Sequence, residues 1–321
     1  NAQLHELCTV SLPKDRIFMG PVVANVRGDA LAELIFSDDR GNVTVFDSRT
    51  GAELNRIEGI GNAFAVEPIA ITLPGQNTAS LLVVSIDSKV TMLNGLGQII
   101  WSTELGSQAN GVFAQPTLVE TPQGTLITVP TMGRGVVALH AEHGNIAWDS
   151  SSLATGEILT QPAANNMGQL LFISKDGTTS AIDTQPTTPQ LRWQTRLPSG
   201  ELPLSIQVHN SGVLTATSQG TLSLLNQHNG EMIWQKQLDQ LLFSVPYISK
   251  DQVFAVDHQG RIHILDLTNG TSLKLIELAA PVQANMAFWQ DQLLIADGHG
   301  KLHQISIDGR QTLKQRAIKA D

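Results

Sequence analysis

Alternating hydrophobic and polar positions predict short β-strands along this chain, and residues 244–278 show the pattern most clearly. Four runs, 244–248, 251–257, 261–265 and 272–278, have strand character, and Val253, Ala255 and Asp257 share one face of the second. Turns at 258–260 and 266–270 contain the glycine and asparagine residues that tight turns require. No run of about twelve residues has convincing helical periodicity. The segment therefore predicts a four-stranded antiparallel unit.

This unit returns seven times along the chain, and one position near the end of each copy marks it. The phrase Gly-Gln-Ile-Ile-Trp at 97–101 has close counterparts at 144–148 and 230–234, and 189–193 is a version without the glycine. The position is occupied in turn by Asn55, Trp101, Trp148, Trp193, Trp234, Lys274 and Leu313, at intervals of 39 to 47 residues. Such a period is typical of a β-propeller blade. The sequence predicts an all-β fold, a seven-bladed β-propeller of four-stranded antiparallel blades.

We expect a single domain over 1–321. Its blades are predicted at approximately 13–60, 61–106, 107–153, 154–199, 200–239, 240–279 and 280–321. Residues 7–12 and 312–318 both have the pattern of an outer strand, and the first places Cys8 at the tryptophan position. Either segment could complete the last blade and remove a free sheet edge. We favour closure by an N-terminal strand within 3–12.

The four repeated tryptophans are predicted to be structural. A large aromatic side chain at a fixed place in each outer strand buries about 150–250 Å² between neighbouring blades. Trp101, Trp148, Trp193 and Trp234 are therefore interpreted as packing residues and not as a platform for ligands. First strands are marked by proline, which lacks a backbone donor and suits an edge strand; these residues are Pro21, Pro68, Pro116, Pro162 and Pro246.

Composition excludes some classes of partner. The net charge of −9 and the pI near 5.4 argue against a surface for nucleic acid or anionic lipid. No apolar run reaches the about 18 residues of a membrane-spanning helix. Cys8 is the only cysteine, so an internal disulfide is excluded. Because the chain begins with Asn1, we expect a processed protein or a fragment, whose missing segment could hold a signal peptide or anchor.

The repeat resembles the PQQ-like (quinoprotein-type) β-propeller family. A proline-led strand, a second strand ending in a turn, and then Asp-x-x-x-Gly-x-x-x-Trp carry the resemblance, best at 172–193, 214–234 and 254–270. The family contains quinone-dependent dehydrogenases and non-catalytic envelope proteins such as the BamB-type lipoprotein, which scaffolds outer-membrane β-barrel assembly. Both usually have eight blades. Resemblance to the dehydrogenases would imply adjacent cysteines, a calcium site and a catalytic Asp. This sequence has one cysteine and no acidic cluster, which favours the non-catalytic members. We therefore expect no cofactor.

Other motifs suggest chemistry only weakly. Residues 25–34 resemble a calcium loop, but Arg27 stands at one ligand position, so we interpret the loop as structural. Arg27-Gly28-Asp29 also matches the tripeptide associated with integrin binding, which three residues match easily by chance. His263 and His303 share one third-strand position, and His258 and His299 lie in the matching turns beside Asp257 and Asp297. Zinc binding is one interpretation, but hydrogen bonding is favoured. No catalytic or metal residue is predicted.

One candidate binding site follows from the repeat. The residue before each first-strand proline position should lie near one mouth of the propeller, and four of these residues are polar: Glu67, Gln115, Gln161 and Asn285. They could bind a partner loop or a small polar ligand. The alternative, which we favour, is that they satisfy backbone groups and water at the ends of the inner strands. The turns between second and third strands should form a rim at the same end, with Asp38, Arg40, Asp87, Lys89, Arg134, Lys175 and Asp257.

The sequence thus predicts a non-enzymatic protein-interaction platform, or scaffold, of the bacterial cell envelope. A protein partner is expected, and a small polar ligand is the alternative. The predicted location is periplasmic or otherwise extracytoplasmic. A second hypothesis is the ligand-sensing ectodomain of a longer membrane-anchored protein, suggested by Asn1 and the basic segment 314–319. The third is a degenerate quinoprotein oxidoreductase.

Overall fold

A computed structural model describes residues 9–29, 31–153, 156–184, 188–197, 201–278, 280–282, 285–289, 292–306 and 316–317. These residues form seven four-stranded antiparallel sheets, which confirms the predicted seven-bladed β-propeller. Within the described ranges the only helix is a single 3-10 turn at Ser107–Ala109. Accordingly, no helix in that part of the chain has the length and apolar character needed to span a membrane.

In every sheet the four strands lie side by side in chain order. The first three sheets contain β1 (Phe18–Ala24), β2 (Glu33–Asp38), β3 (Val43–Asp47), β4 (Glu53–Ile57), β5 (Ile69–Ile71), β6 (Ser80–Val84), β7 (Lys89–Leu93), β8 (Ile99–Glu104), β9 (Thr117–Thr121), β10 (Gly124–Pro130), β11 (Val136–His140) and β12 (Ile146–Asp149). The fourth contains β13 (Ala163–Ala164), β14 (Gln169–Ile173), β15 (Thr178–Asp183) and β16 (Gln190–Arg196). The last three contain β17 (Pro203–His209), β18 (Gly212–Thr217), β19 (Thr221–Leu225), β20 (Met232–Gln237), β21 (Tyr247–Ser249), β22 (Gln252–Val256), β23 (Arg261–Asp266), β24 (Ser272–Glu277), β25 (Ala287–Trp289), β26 (Gln292–Ala296), β27 (Lys301–Ser306) and β28 (Arg316–Ala317).

In most of the sheets the middle strands are buried on both faces, whereas the outer strands are largely exposed. Every residue of β6 and β14 is buried, but β8 and β20 bury only the tryptophan and leave their ends in solvent. A strand covered on both faces needs an almost continuous apolar run, and these sequences supply one. The prolines stand within or just before the first strands, at sheet edges where a missing N–H interrupts no ladder.

The chain divides into two compact units, each with its own core. The first comprises 1–170 and 183–190, and its core joins residues of the second and third sheets, such as Val90 and Met92 with Val137. The second comprises 171–182 and 191–321, and one of its cores joins the fifth and sixth sheets, with Leu222 against Ala255. The expectation of a single domain, with the blade boundaries given above, stays a prediction.

The repeated tryptophans pack beneath the glycine of the following blade. The Trp234 indole is 9% exposed, and its Nε1 donates to the Leu267 carbonyl at 2.7 Å. Trp101 and Trp193 donate equivalently, to the Ala141 and Gln227 carbonyls, both at 2.9 Å. In each of these three pairs of blades, a Cβ atom added to the glycine of the following blade would clash with the indole ring. Trp148 is also buried, at 6% exposure, but its Nε1 has no hydrogen-bond partner among the described residues, although Thr184 stands at the position of the acceptor.

Substitution of Gly230 should show how closely the blades pack at this point. Its φ is +73°, and an added Cβ would stand 2.4 Å from Cε3 of Trp193. Gly59 has nearly the same φ, +69°, but nothing lies within 4 Å of the Cβ position. Gly59→Ala should therefore cost about 1 kcal/mol from backbone conformation alone. Gly230→Ala should cost a further 1–3 kcal/mol or so, because the indole must move. Chemical denaturation of both variants measures the difference, and equal losses would contradict a tight contact.

The N-terminal segment lies against the first blade at the equivalent place. An added Cβ at Gly51 would be 2.3 Å from the Thr9 carbonyl oxygen, where later blades place a tryptophan ring. In the seventh sheet the described fourth strand is β28, which pairs with β27 through Lys301 and Leu302. Residues 1–8, including Cys8, and most of 307–321 lie outside the described residues. Closure by the N-terminal strand thus stays a prediction, which the position of Thr9 favours.

Candidate functional site

The connections between blades and the turns between second and third strands meet at one end of the sheets. In the first unit, Met132 N donates to the Gly111 carbonyl at 3.1 Å, and Val112 N donates to the Ile86 carbonyl at 3.4 Å. In the second unit, His258 N donates to the Leu241 carbonyl at 3.0 Å. The residues predicted for the mouth and for the rim therefore lie at the same end within each unit.

Three of the four predicted mouth residues bond to neighbouring backbone. The Gln115 Nε2 donates to the Glu67 carbonyl at 2.9 Å, and the Gln161 Nε2 donates to the Pro116 carbonyl at 3.4 Å. In the other unit, the Asn285 Oδ1 accepts from Val245 N at 3.2 Å. These amides connect the starts of successive first strands, as the structural interpretation describes. Their role in binding a ligand stays a prediction.

Glu67 differs from those three residues, whereas Gln207 resembles them. Glu67 is exposed, and no described residue hydrogen-bonds to its carboxylate, so this charge is open to a partner. Gln207 belongs to the set of bridging amides, because its Nε2 donates to the Pro246 carbonyl at 2.6 Å. The sequence analysis missed it because Gln207 itself occupies the proline position in that copy, and the position before it is the apolar Ile206. The bridging function is thus shared by residues at two neighbouring positions.

Large apolar side chains are exposed two residues before the mouth positions. Phe113 is 48% exposed between the buried Val112 and Ala114. In the second unit, Phe243 is also 48% exposed, and Leu241 is 43% exposed. Alternation along an extended connection causes this, since every second side chain faces solvent. The sequence analysis missed these residues, although the same alternation was visible before the mouth positions.

Most rim charges are already paired within their own unit. Arg16 and Asn42 hydrogen-bond to Asp38, and Arg40 reaches Asp15 at 2.7 Å. Arg134 pairs with Asp149 and also donates to the Leu105 carbonyl at 2.7 Å. These bonds hold the turns against the connections between blades. The exposed aromatic side chains take no part in them.

The predicted histidine and aspartate pairs are formed within single blades. His263 Nε2 lies 3.0 Å from Asp257 Oδ2, and His303 Nε2 lies 2.7 Å from Asp297 Oδ2. Burial would raise the pKa of Asp257, but hydrogen bonds from His263 and Arg261 outweigh it and hold that pKa below the ordinary value. Each aspartate also accepts two backbone N–H groups of its own turn. Among the described residues, no three His, Cys, Asp or Glu side chains are placed to hold a metal ion together.

The loop that resembles a calcium site is held by its own backbone. Asn25 Oδ1 accepts from Gly28 N at 2.7 Å, and Asp29 Oδ1 accepts from Leu31 N at 3.0 Å. Glu33 is 3% exposed, and its Oε2 accepts from Val26 N at 2.9 Å. Because these side-chain oxygens already serve the turn, the loop is a structural element of the first blade.

Comparison with known proteins is consistent with the repeat geometry and identifies the family. The model of the family described as "Outer membrane protein assembly factor BamB" matches residues 39–274 and 175–320. The chain belongs to this family. The BamB protein of Yersinia pestis is 22% identical over 236 residues, which cover 68% of this chain and 58% of that protein. BamB of Escherichia coli strain K12 is 23% identical over 277 residues, covering 68% of this chain and 70% of its own length.

Solved structures share the fold of this BamB-family chain. BamB from Moraxella catarrhalis superimposes with a TM-score of 0.64 at 18% identity, over 84% of this chain and 77% of that one. The computationally designed Ika8 protein has a TM-score of 0.56 at 15% identity, over 92% of this chain and 98% of its own. At such low identity the agreement concerns the fold alone.

Proposed function

We propose that this chain is a non-enzymatic protein-interaction platform of the bacterial cell envelope and acts in the periplasm. Its partner belongs to the apparatus that assembles outer-membrane proteins. Membership of the BamB family and the names of the relatives support this proposal. The partner docks at the end of the blades where the connections and the second-to-third-strand turns meet.

Two exposed aromatic side chains, one in each unit, carry the proposal. Phe113 and Phe243 are each 48% exposed, and the residue before each is held in place by its backbone, with Val112 N donating to the Ile86 carbonyl and Leu242 N to the Ser218 carbonyl. Aromatic residues on a rigid, internally satisfied surface are typical anchors of protein interfaces, since they bury much area at little cost in conformational entropy. The open carboxylate of Glu67 adds a charge that could select the orientation of the partner.

The absence of enzymatic activity is part of the proposal. General acid–base chemistry needs a titratable side chain that is free to exchange a proton with substrate. Here Asp257 and Asp297 have both oxygens engaged by the turn and by a histidine of the same blade. These groups are therefore suited to hold turns in place.

Exchange of the two phenylalanines, one in each unit, tests docking at this end of the blades. The double variant Phe113→Ser and Phe243→Ser should reduce capture of the envelope partner at least about tenfold, because interface aromatics commonly contribute more than 1 kcal/mol each. Capture is measured by cross-linking in native envelopes followed by mass spectrometry of the bound protein. The melting temperature should change little, since both side chains are half exposed.

A matched control places the same exchanges on the outer strands. Ile99 and Ile233 are 57% and 48% exposed, and Ile99→Ser with Ile233→Ser removes similar apolar surface elsewhere. This variant should capture the partner as wild type does. Equal capture by all three proteins would refute docking at the proposed end. Turnover of an alcohol or sugar after addition of quinone and calcium would refute the non-enzymatic assignment.

A further inference from the structure

The turn between β6 and β7 carries a serine where five other copies of the repeat carry glycine. Ser88 has a φ of +71°, in the left-handed region that disfavours any residue with a Cβ atom. The equivalent glycines have φ between +73° and +95°; they are Gly41, Gly177, Gly220, Gly260 and Gly300. The conformation of the turn favours glycine at this position, so the reason for the serine lies outside the turn.

The connection to the next blade uses the Ser88 hydroxyl. The Oγ accepts a buried hydrogen bond from Gly111 N at 3.0 Å, and the Ser88 carbonyl accepts from Leu105 N at 2.9 Å. A glycine in the turn supplies the carbonyl but has no side-chain acceptor. The serine therefore adds one bond that ties the turn to the connection 105–116 at residue 111.

Strained backbone is concentrated at this contact. Among the described residues other than glycine, only Ser88, Asn110 and Lys250 have a positive φ, and the bond from Gly111 N brings the first two together. Asn110 follows the 3-10 turn with a φ of +54°, and Gly111 has a φ of +103°. Residues forced into such conformations cluster at functional sites, where the surrounding structure imposes them. The strain therefore marks this connection independently of any exposed side chain.

The strained segment supports the side chain of Phe113. A Cβ atom added to Gly111 would stand 2.7 Å from Cε2 of Phe113, so the phenyl ring lies over the glycine. The ring is 48% exposed, while the preceding Val112 is buried and donates from its N to the Ile86 carbonyl at 3.4 Å. An exposed ring whose supporting backbone is already held loses little conformational freedom on binding.

We propose that Ser88 is a positioning residue, which holds the Phe113 ring in place through Gly111 before a partner docks. All three residues belong to the first unit. Phe243 in the second unit lacks this arrangement, because Leu241 stands at the position of Gly111. The inference rests on the proposed function for the role of Phe113 in docking, and it makes Phe113 the stronger of the two aromatic anchors.

Fluorine NMR tests the positioning without any partner. 4-Fluorophenylalanine incorporated at position 113 of the intact chain should give one resonance, shifted from that of the free amino acid. In the Ser88→Gly chain this resonance should broaden or move towards the free value, because Gly111 N loses its acceptor and the connection samples more conformations. The melting temperature should change little, since glycine relieves the left-handed strain and this offsets the lost hydrogen bond. An unchanged resonance would overturn the proposal.

Capture of the envelope partner by cross-linking tests the consequence for docking. Ser88→Gly and Ser88→Ala both remove the hydroxyl, but alanine keeps the strain, so only the alanine variant should melt at a clearly lower temperature. Both should lose capture by a similar factor of about three to ten, the effect of ordering one side chain on binding. Capture that falls in step with the melting temperature would mean that Ser88 serves stability alone, which would refute the positioning role.

Gly177→Ser is the matched control. It places a serine at the same turn position in the second unit, where the nearest atom to an added Cβ is the Leu197 carbonyl oxygen at 3.6 Å. This variant should melt at a lower temperature, because it acquires the strain, and should capture the partner as wild type does.

The proposed function and the positioning role can fail separately. If Phe113→Ser with Phe243→Ser leaves capture unchanged, docking at this end is refuted, and the fluorine resonance still decides whether Ser88 positions the ring. If that double variant loses capture while Ser88→Gly keeps both its capture and its resonance, the positioning role alone is refuted.

Discussion

Replacing Trp234 with alanine is expected to lower the free energy of unfolding by about 3–5 kcal/mol, the usual cost of truncating a buried aromatic residue. The indole is 9% exposed and packs in the core shared by the fifth and sixth blades, with Leu222 and Leu265 in the same cluster. Its removal leaves a cavity beneath Gly270 and deprives the buried Leu267 carbonyl of its donor. Both effects weaken the contact between two adjacent sheets.

The conservative variant Trp234→Phe separates these two contributions. Phenylalanine fills most of the space but cannot donate to the Leu267 carbonyl, so its cost should be about 1–3 kcal/mol. Guanidinium denaturation followed by circular dichroism measures both variants, because the signal then does not depend on the tryptophan itself. A loss below about 1 kcal/mol for Trp234→Ala would show that the blades do not depend on this wedge. The indole position would then be free for another role.

The architecture was predictable because its signals are local and repeated. Proline before an inner strand, glycine in a turn and tryptophan in an outer strand each act within a few residues, and seven copies reinforce one another. The packing role of Trp101 and Trp234 followed from the same regularity. The tryptophan and the glycine of the next copy recur at similar spacing along the sequence, but only the structure shows that the two residues are in contact.

Side-chain partners between blades were beyond sequence reasoning. The bond from Gln115 to the Glu67 carbonyl joins residues 48 positions apart, and it depends on how neighbouring sheets are rotated and offset. Phe113 is a different case. The alternation of the sequence already indicated that its side chain is exposed, but the sequence analysis considered only the residue next to the proline position.

Removing the carboxylate of Asp257 should be as damaging as removing a core tryptophan. Asp257→Ala leaves the guanidinium of Arg261 and the ring of His263 without their common acceptor in a buried place. Breaking a buried charged pair by deleting one partner typically costs about 3–5 kcal/mol. Asp266→Asn is the matched control, since Asp266 also accepts backbone bonds in a turn of the same blade but lies at the surface, and it should lower stability much less.

The same carboxylate should make stability depend on pH in the acid range. Hydrogen bonds from His263 and Arg261 overcome the effect of burial and hold the pKa of Asp257 below its ordinary value of 3.8 in the folded chain. A lowered folded-state pKa means that the stabilisation is complete above about pH 4 and is lost as the pH falls through the folded-state value. The stability difference between wild type and Asp257→Asn should therefore keep its full value from about pH 5 to pH 7, where the carboxylate is ionised, and should shrink below about pH 4. A difference that stays constant to about pH 2 would mean that Asp257 contributes through its shape and not through its charge, because protonation would then leave the bonds to Arg261 and His263 unchanged.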